Sequence, residues 1–114
     1  MTRERFAYIW QYTIDPDCRQ AFLAAYEPQG EWARLFSRDA AYIETVLLQD
    51  DKREDRYMTI DYWTSRSDRD AFREQYSIEF EELDSRCEAF TREEQFIGDF
   101  QVIGVASGRQ TARS

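Results

Sequence analysis

Four segments of this 114-residue chain alternate along their length in the manner of β-strands, and helical segments separate them in the order strand, helix, strand, strand, helix, strand. The first segment, Phe-Ala-Tyr-Ile-Trp-Gln-Tyr-Thr, is rich in aromatic and β-branched residues. This order of elements is that of the split βαβ unit. Because each crossover should be right-handed, both helical segments should cover the same face of a four-stranded antiparallel sheet. The sequence therefore predicts an α+β, ferredoxin-like βαββαβ fold.

The predicted boundaries follow from apolar spacing and from residues typical of helix ends. Asp15 and Pro16 mark the start of the first helix, and Pro28 ends it because proline disfavours helical backbone in the residue before it. A short second helix is predicted over residues 31–38, and a long amphipathic helix runs from the capping residue Ser65 to about Phe90. Strands are predicted at residues 6–13, 41–49, 56–63 and 94–105.

The length of the chain is that of one domain, which we expect to span residues 1–105. The polar residues 106–114 should form a flexible tail. A charged stretch at residues 50–55 is typical of a solvated hairpin loop. Gly98, inside the last predicted strand, indicates a bulge or a close approach of another group.

Large apolar residues occupy both faces of the predicted sheet. In the third strand, Tyr57 and Trp63 alternate with a second apolar set. The other alternating sets are Met58, Ile60 and Tyr62 in that strand; Tyr42, Val46 and Leu48 against Ile43 and Leu47 in the second strand; and Phe96, Phe100 and Val102 against Ile97 and Ile103 in the fourth. A sheet face left in water should be polar. The pattern therefore predicts a homodimer that packs through the second sheet face.

Charge and composition disfavour several classes of partner. Acidic residues outnumber basic ones by 23 to 15, so the net charge is −8 and no basic stripe offsets it. Such a chain would be repelled by nucleic acid and by anionic membranes. No apolar run approaches the length of a membrane-spanning helix. The first residues lead into a strand without an apolar signal segment, so the sequence predicts a cytoplasmic protein.

The chain has no histidine and only two cysteines, Cys18 and Cys87. Histidine is the commonest general base and the commonest metal and haem ligand, so its absence removes the usual residue for each role. The cysteines lie in separate helical segments without a Cys-x-x-Cys pair, which predicts reduced, small apolar side chains and no metal site. The acidic residues of the long helix are expected to be solvated surface. They are Glu79, Glu81, Glu82, Asp84 and Glu88.

Two segments resemble one known family. They are Tyr8-Ile-Trp-Gln-Tyr-Thr-Ile-Asp-Pro, with Phe22 and Tyr26 after it, and Tyr57-Met-Thr-Ile-Asp-Tyr-Trp-Thr-Ser, with Phe72 after it. A strand ending in Trp-x-Ser, followed by a helix with an aromatic residue about seven positions on, is similar to the antibiotic biosynthesis monooxygenase family of dimeric α+β barrels. The resemblance covers about residues 6–102. It implies a cofactor-free oxygenase, a haem-degrading enzyme or a member with another role.

The resemblance also implies a pocket between the sheet and the helices. Trp63 matches the tryptophan that lines this pocket at the end of the third strand, and Phe72 lies beside it. Trp10 falls where haem-degrading members carry asparagine, and their haem-ligating histidine is missing here. Haem degradation is therefore disfavoured. The resemblance favours a cofactor-independent reaction on a small apolar, aromatic or polyketide-like molecule.

If Trp10 and Trp63 share the pocket face, strand alternation brings Tyr8, Tyr12, Thr59 and Asp61 onto it as well. Aromatic neighbours would desolvate Asp61 and raise its pKa toward neutrality. Asp61 is then the candidate general base, with Tyr12 as its hydrogen-bonding partner.

Other interpretations of these residues remain open. Asp61 could instead pair with an arginine such as Arg73 or cap local structure, and Glu44 is a second candidate base. Tyr26 and Trp32 could form a helical lid over the pocket or could belong to the core. Besides the oxygenase, the sequence allows a non-catalytic module that binds a small ligand, or a dimerisation domain whose core is filled.

Overall fold

The computed structural model of the protein describes residues 5–108. The strands are β1 (Arg5–Ile14), β2 (Tyr42–Gln49), β3 (Arg56–Trp63) and β4 (Thr91–Val102). The helices are α1 (Arg19–Tyr26), α2 (Glu31–Phe36), α3 (Arg66–Gln75) and α4 (Ser77–Glu88), and a 3-10 turn at Pro16–Cys18 leads into α1.

The four strands form one antiparallel sheet in the order β2-β3-β1-β4. The two strands of each predicted βαβ crossover are separated in the sheet by one other strand, which is the ferredoxin-like arrangement. Side chains of β3 alternate regularly between buried and half-exposed. Its buried side chains pack with residues of all four helices in one core, so one face of the sheet is covered and the other is open. The predicted fold class is confirmed.

The residues that begin the first helix behave as the sequence predicts. Asp15 caps the 3-10 turn, since its carboxylate accepts a hydrogen bond from the backbone N–H of Asp17 at 3.0 Å, and Pro16 occupies the first helical position. The chain then turns sharply between α1 and α2 at Gly30. A Cβ on Gly30 would lie 2.6 Å from the carbonyl oxygen of Ala24, so only glycine allows this approach.

Irregularities in two strands change the predicted faces. In β4 the pairing with β1 shifts between Ile9 and Trp10, where Gly98 has a φ of +153°. The predicted bulge at Gly98 is thereby confirmed, and it turns Phe96 toward Trp10, away from the face that holds Phe100. A similar shift in β2 moves Tyr42 to the covered side, opposite Trp63. The strict alternation predicted for these two strands was therefore wrong at Phe96 in β4 and at Tyr42 in β2, which both lie on the covered side.

The long helix predicted up to Phe90 is divided in two. Tyr76 separates α3 from α4 with φ −110° and ψ 30°, although the N–H of Tyr76 still bonds to Phe72 and the N–H of Phe80 to Tyr76. The apolar stripe continues across this break, so the spacing of apolar residues does not reveal the break.

The open sheet face carries apolar side chains from every strand. Ile60 lies at its centre, opposite Ile9 and Val46 on the neighbouring strands. Leu48 and Phe100 are each nearly half exposed at its edges. This is the face through which the sequence predicts a dimer.

No helix within residues 5–108 is long and apolar enough to cross a membrane. Both cysteines are free thiols; Cys87 is buried, whereas Cys18 is only partly so. Of the predicted flexible tail, residues 109–114 lie outside the described part of the chain. The division into one domain and a tail stays a prediction.

Candidate active site

A cavity of about 340 Å³ lies between the covered face of the sheet and the helices. Its walls combine aromatic rings with ionisable groups. The lining residues are Tyr8, Trp10, Tyr12, Tyr26, Trp32, Ala33, Phe36, Thr45, Thr59, Asp61, Arg73, Phe80, Asp84, Glu88 and Glu94.

The sheet supplies the floor of the cavity. Tyr8 pairs with Asp61 across the β1–β3 ladder, and Trp10 pairs with Thr59. Directly paired residues project to the same side of a sheet, so the register brings these four side chains and Tyr12 onto one surface. Five residues that the sequence grouped by alternation are therefore brought together.

Asp61 is the most unusual group on this floor. Its side chain is 7% exposed, and its Oδ1 accepts a hydrogen bond from Thr45 Oγ1 at 2.6 Å. The Oγ1 of Thr45 in turn lies 2.5 Å from the hydroxyl oxygen of Tyr42, and this hydrogen bond orients the threonine. Oδ2 of Asp61 accepts no hydrogen bond from residues 5–108. One carboxylate oxygen is thus held in place while the other is free to meet a ligand.

Burial raises the pKa of Asp61 to about 7, and the hydrogen bond from Thr45 and the positive charge of Arg69 oppose this rise. Removing a carboxylate from water penalises its charged form, which is the cause of the increase. At neutral pH both protonation states are populated. A carboxyl with such a pKa can accept a proton and return it.

The alternative that Asp61 is neutralised by an arginine is not seen within residues 5–108. Arg69 pairs with Asp70 at 2.8 Å and with Asp99 at 3.3 Å, and its guanidinium lies 4.3 Å from the centre of the Tyr8 ring. Arg73 lies over the ring of Phe80, 4.4 Å from its centre. Both cations are engaged elsewhere.

Tyr12 also lies in the floor and is 7% exposed. Burial raises its pKa well above the usual 10, so the hydroxyl stays protonated at all ordinary pH values. It accepts a long hydrogen bond of 3.5 Å from Thr59, and its own proton has no acceptor among residues 5–108. Tyr12 can therefore donate to a bound molecule.

Helices close the cavity with aromatic rings. The centre of Tyr26 lies 4.9 Å from that of Tyr12, and Trp32 packs edge-on against Phe80 at 5.0 Å. Tyr26 and Trp32 are buried by this packing and also line the cavity, so they are core residues that border it, and their role as a lid stays a prediction. On the sheet side, the ring centre of Phe96 lies 5.2 Å from that of Trp10.

Trp63 and Phe72 do not line the cavity, which corrects their expected position. They are 1% and 0% exposed, and their ring centres lie 5.0 Å apart. Phe36 packs edge-on against both, between them and the cavity wall. The rotation of α2 that inserts Phe36 here cannot be read from helical spacing alone. Trp63 and Phe72 are core residues that support the floor.

Glu44 also lies away from the cavity. It is paired in register with Tyr62, on the open face of the sheet, and is exposed. Its carboxylate contacts Arg5 at 3.4 Å. The second candidate base is therefore excluded from this site.

Two carboxylates of the long helix that the sequence predicts to be solvated surface line the cavity instead, and a carboxylate of β4 lies with them. Asp84 and Glu88 of α4 and Glu94 of β4 line the more exposed part of the cavity, near enough for their charges to interact. Burial, and after it repulsion from Glu88, raises the pKa of Asp84. Burial also raises the pKa of Glu94; a hydrogen bond from Thr91 opposes this rise, and repulsion from the two carboxylates of α4 adds to it. Helical spacing marks the face of α4 but not which part of it borders a cavity. No group of three histidine, cysteine or acidic side chains within residues 5–108 is arranged to hold a metal.

No protein-family model and no curated protein sequence matches this chain. Solved structures do match its fold. A protein from Bordetella bronchiseptica named "Putative antibiotic biosynthesis monooxygenase" has a TM-score of 0.69 and 18% identity, with 90% of this chain and 98% of that one covered.

SnoaB from Streptomyces nogalater, described as a cofactor-independent oxygenase, has a TM-score of 0.64 and 18% identity, with 97% and 99% coverage. A protein from Bacteroides thetaiotaomicron, described as a "Possible Oxidoreductase", has a TM-score of 0.67 and 12% identity, with 90% and 100% coverage. The fold is that of the antibiotic biosynthesis monooxygenase structures, as the resemblance in sequence predicts.

Proposed function

We propose that this protein, which has the fold of the antibiotic biosynthesis monooxygenases, is a cofactor-independent oxygenase that acts on an aromatic or polyketide-like molecule. The observation that carries the proposal is Asp61: a buried carboxyl with a pKa of about 7, with one oxygen free, on the floor of an aromatic cavity. A group with these properties is suited to remove a weakly acidic proton at neutral pH.

The first chemical step is removal of a proton by Asp61 from an activated carbon of the substrate, such as the CH₂ between two aromatic rings in anthrone. The resulting anion transfers one electron to dioxygen, and the two radicals combine to form a carbon–oxygen bond. Protonation gives a hydroperoxide. Loss of the second proton from that carbon breaks the O–O bond and expels water. The CH₂ group becomes C=O, and one dioxygen is consumed for each water formed.

Tyr12 and the aromatic walls serve this reaction in the proposal. The unpaired O–H of Tyr12 donates to the oxygen on which negative charge develops in the substrate anion. Tyr8, Trp10, Tyr26 and Trp32 bind the rings of the substrate and keep water away from the anion. The hydrogen bond from Thr45 fixes the direction of the Asp61 carboxylate.

The similarity to SnoaB, which is described as a cofactor-independent oxygenase, supports this choice of chemistry. The identity is low, so the argument for function rests on the cavity and not on the fold. Side chains do not pack the space between sheet and helices solid, which supports a ligand-binding protein over a dimerisation domain with a filled core.

We also propose that the protein works as a homodimer. The apolar open face, with Ile60 at its centre, supports this assembly because a face of this kind is seldom left in water.

Oxygen uptake tests the proposed function. Purified protein, whose absorbance spectrum is first recorded for haem or flavin bands, is given anthrone and a panel of hydroquinones in an oxygen electrode. We expect catalysed uptake and product formation in equal amounts, lost by at least about a hundredfold in Asp61→Asn. Glu81→Gln, on an exposed part of α4 outside the cavity, is the control.

Uptake that is equal in Asp61→Asn and the wild type would contradict the role of Asp61. Binding of the panel without uptake would instead favour the non-catalytic ligand-binding module.

A further inference from the structure

The charges that line the cavity are strongly unequal. Asp61 lies at its buried end, and Asp84, Glu88 and Glu94 lie at its more exposed end, whereas Arg73 is the one basic residue among the lining residues described above. The Arg73 guanidinium lies against Phe80 and near Asp84. A cleft lined by one sign of charge concentrates ions of the other sign.

The register of the sheet separates the two acidic ends. Asp61 is opposite Tyr8, and Glu94 is opposite Tyr12, four residues further along β1. Four residues of a strand span about 13 Å. Trp10 lies between them on the same face, so a bound aromatic body of two or three rings could reach both ends.

Two buried groups on the floor of the cavity, one near each end, have hydrogen-bonding capacity that residues 5–108 do not use. Oδ2 of Asp61 accepts no hydrogen bond and the Tyr12 hydroxyl has no acceptor for its proton, as judged from residues 5–108, and both side chains are more than nine-tenths buried. Buried polar groups are nearly always paired in native proteins. A ligand in the cavity would satisfy both.

We propose that the cavity selects a molecule with an aromatic body and a protonated amine, with the body over Trp10 and the amine among Asp84, Glu88 and Glu94. The aromatic walls favour a cation as well as a ring, because ring faces attract positive charge. Arg73 over Phe80 already shows this attraction at the edge of the cavity. The inference rests on the proposed function only in that the same molecule presents its reacting end to Asp61.

A bound ammonium group would be stabilised because it offsets the negative charge of these carboxylates. Burial, and after it repulsion from neighbouring carboxylates, disfavours the charged forms of Asp84 and Glu94 and raises the pKa of each. An ammonium group placed among them relieves the repulsion and gains charge-assisted hydrogen bonds. An anionic ligand would add to the repulsion and should be rejected.

Three probes that share one bicyclic body test this inference: 2-naphthylmethylamine, 2-naphthalenemethanol and 2-naphthoate. Their binding is measured by calorimetry at low salt and neutral pH. We expect the amine to bind at least tenfold more tightly than the alcohol, and the carboxylate to bind more weakly than either. In the double variant Asp84→Asn/Glu94→Gln the preference for the amine should fall to less than threefold, while the alcohol binds as before.

Arg73→Gln should have the opposite effect and increase the affinity for the amine, because it removes the competing cation. Glu81→Gln is the matched control, and circular dichroism checks that each variant is folded. Equal affinity for amine and alcohol, a preference that survives in the double variant, or no binding of any probe would overturn the inference. Oxygen uptake by the wild type with neutral substrates is measured separately, so the proposed oxygenase can stand or fail independently.

Discussion

Asp61 combines two properties that oppose each other energetically. Burial disfavours its charged form, and the hydrogen bond from Thr45 and the positive charge of Arg69 compensate only in part. A side chain of this kind costs stability whenever it is ionised. Such a cost is typical of functional sites, where a group is held in the state that its chemistry requires.

The first prediction concerns the pH dependence of stability. The pKa of Asp61 is about 7 in the folded protein against 3.8 ordinarily, so the folded state holds a proton that the unfolded state has lost between these values. Stability contributed by Asp61 therefore falls as the pH rises through this window. Relative to wild type, Asp61→Asn should gain about 2–3 kcal/mol of unfolding free energy between pH 5 and pH 8.

Urea denaturation at the two pH values measures this difference. Asp51→Asn, in an exposed loop, is the control and should show no such gain. If the unfolding free energies of Asp61→Asn and the wild type change in parallel between pH 5 and pH 8, folding does not raise the pKa of Asp61.

The second prediction concerns Thr45. Thr45→Val removes the hydrogen bond that favours the charged form of Asp61, so the pKa of Asp61 should rise by about one unit. The acid limb of the pH profile for oxygen uptake should then move to higher pH by the same amount. Thr45→Ser, which keeps the hydroxyl, should restore the profile. An unmoved limb in Thr45→Val would mean that Thr45 has only a packing role.

At the residue scale, sequence predicted the sheet side of the site better than the helical side. Alternation in β1 and β3 is sufficient to group Tyr8, Tyr12 and Asp61, because the side-chain period of a strand is fixed. Thr45 was missed because its relation to Asp61 depends on the register of β2, which a bulge shifts. Phe36 displaced Trp63 from the cavity wall through packing that no local pattern records.

At the scale of elements, the junction between α1 and α2 positions the aromatic side chains of α2. Gly30 allows the two helices to approach, and α2 then carries Trp32 and Phe36 onto the cavity and the core. The chain also breaks between α3 and α4, where Tyr76 has non-helical dihedrals. The interruption is a single residue, Tyr76, and helical hydrogen bonds are kept on both sides of it. No glycine or proline lies there, so the sequence gives no sign of the break.

The third prediction concerns this junction. Gly30→Ala places a Cβ against backbone carbonyl groups that cannot move without shifting α1, so it should lower the free energy of unfolding by about 1–3 kcal/mol. Gly104→Ala is the matched control, because nothing lies within 4 Å of its Cβ, and it should change stability by less than about 0.5 kcal/mol. Thermal unfolding measures both. Equal melting temperatures would show that the junction tolerates a side chain.

At the scale of the whole molecule, the order of strands and helices could be predicted almost completely. Four alternating segments with helical segments between them permit few topologies once crossovers are right-handed. What the sequence could not supply was the shape of the space left between the sheet and the helices. That space depends on how α2 and α4 pack, and it brings Asp84 and Glu94 of distant elements to one cavity.

The fourth prediction concerns assembly. Sedimentation should give twice the chain mass of 13.7 kDa for the wild type. Ile60→Glu, at the centre of the open sheet face, should give a folded monomer because a charge there opposes burial against a second copy. Ile78→Glu, on α4 and 72% exposed, is the control and should remain dimeric. A monomeric wild type would contradict the proposed homodimer.

The central claim is that Asp61 acts as the base of an oxygenase, and the pH dependence of oxygen uptake tests it most directly. With anthrone as substrate, kcat/KM of the wild type should rise with pH and reach a plateau, with its midpoint near the pKa of about 7. Asp61→Asn should show neither the rise nor the plateau. A wild-type profile without a midpoint near neutrality, or the same profile in Asp61→Asn, would contradict the account.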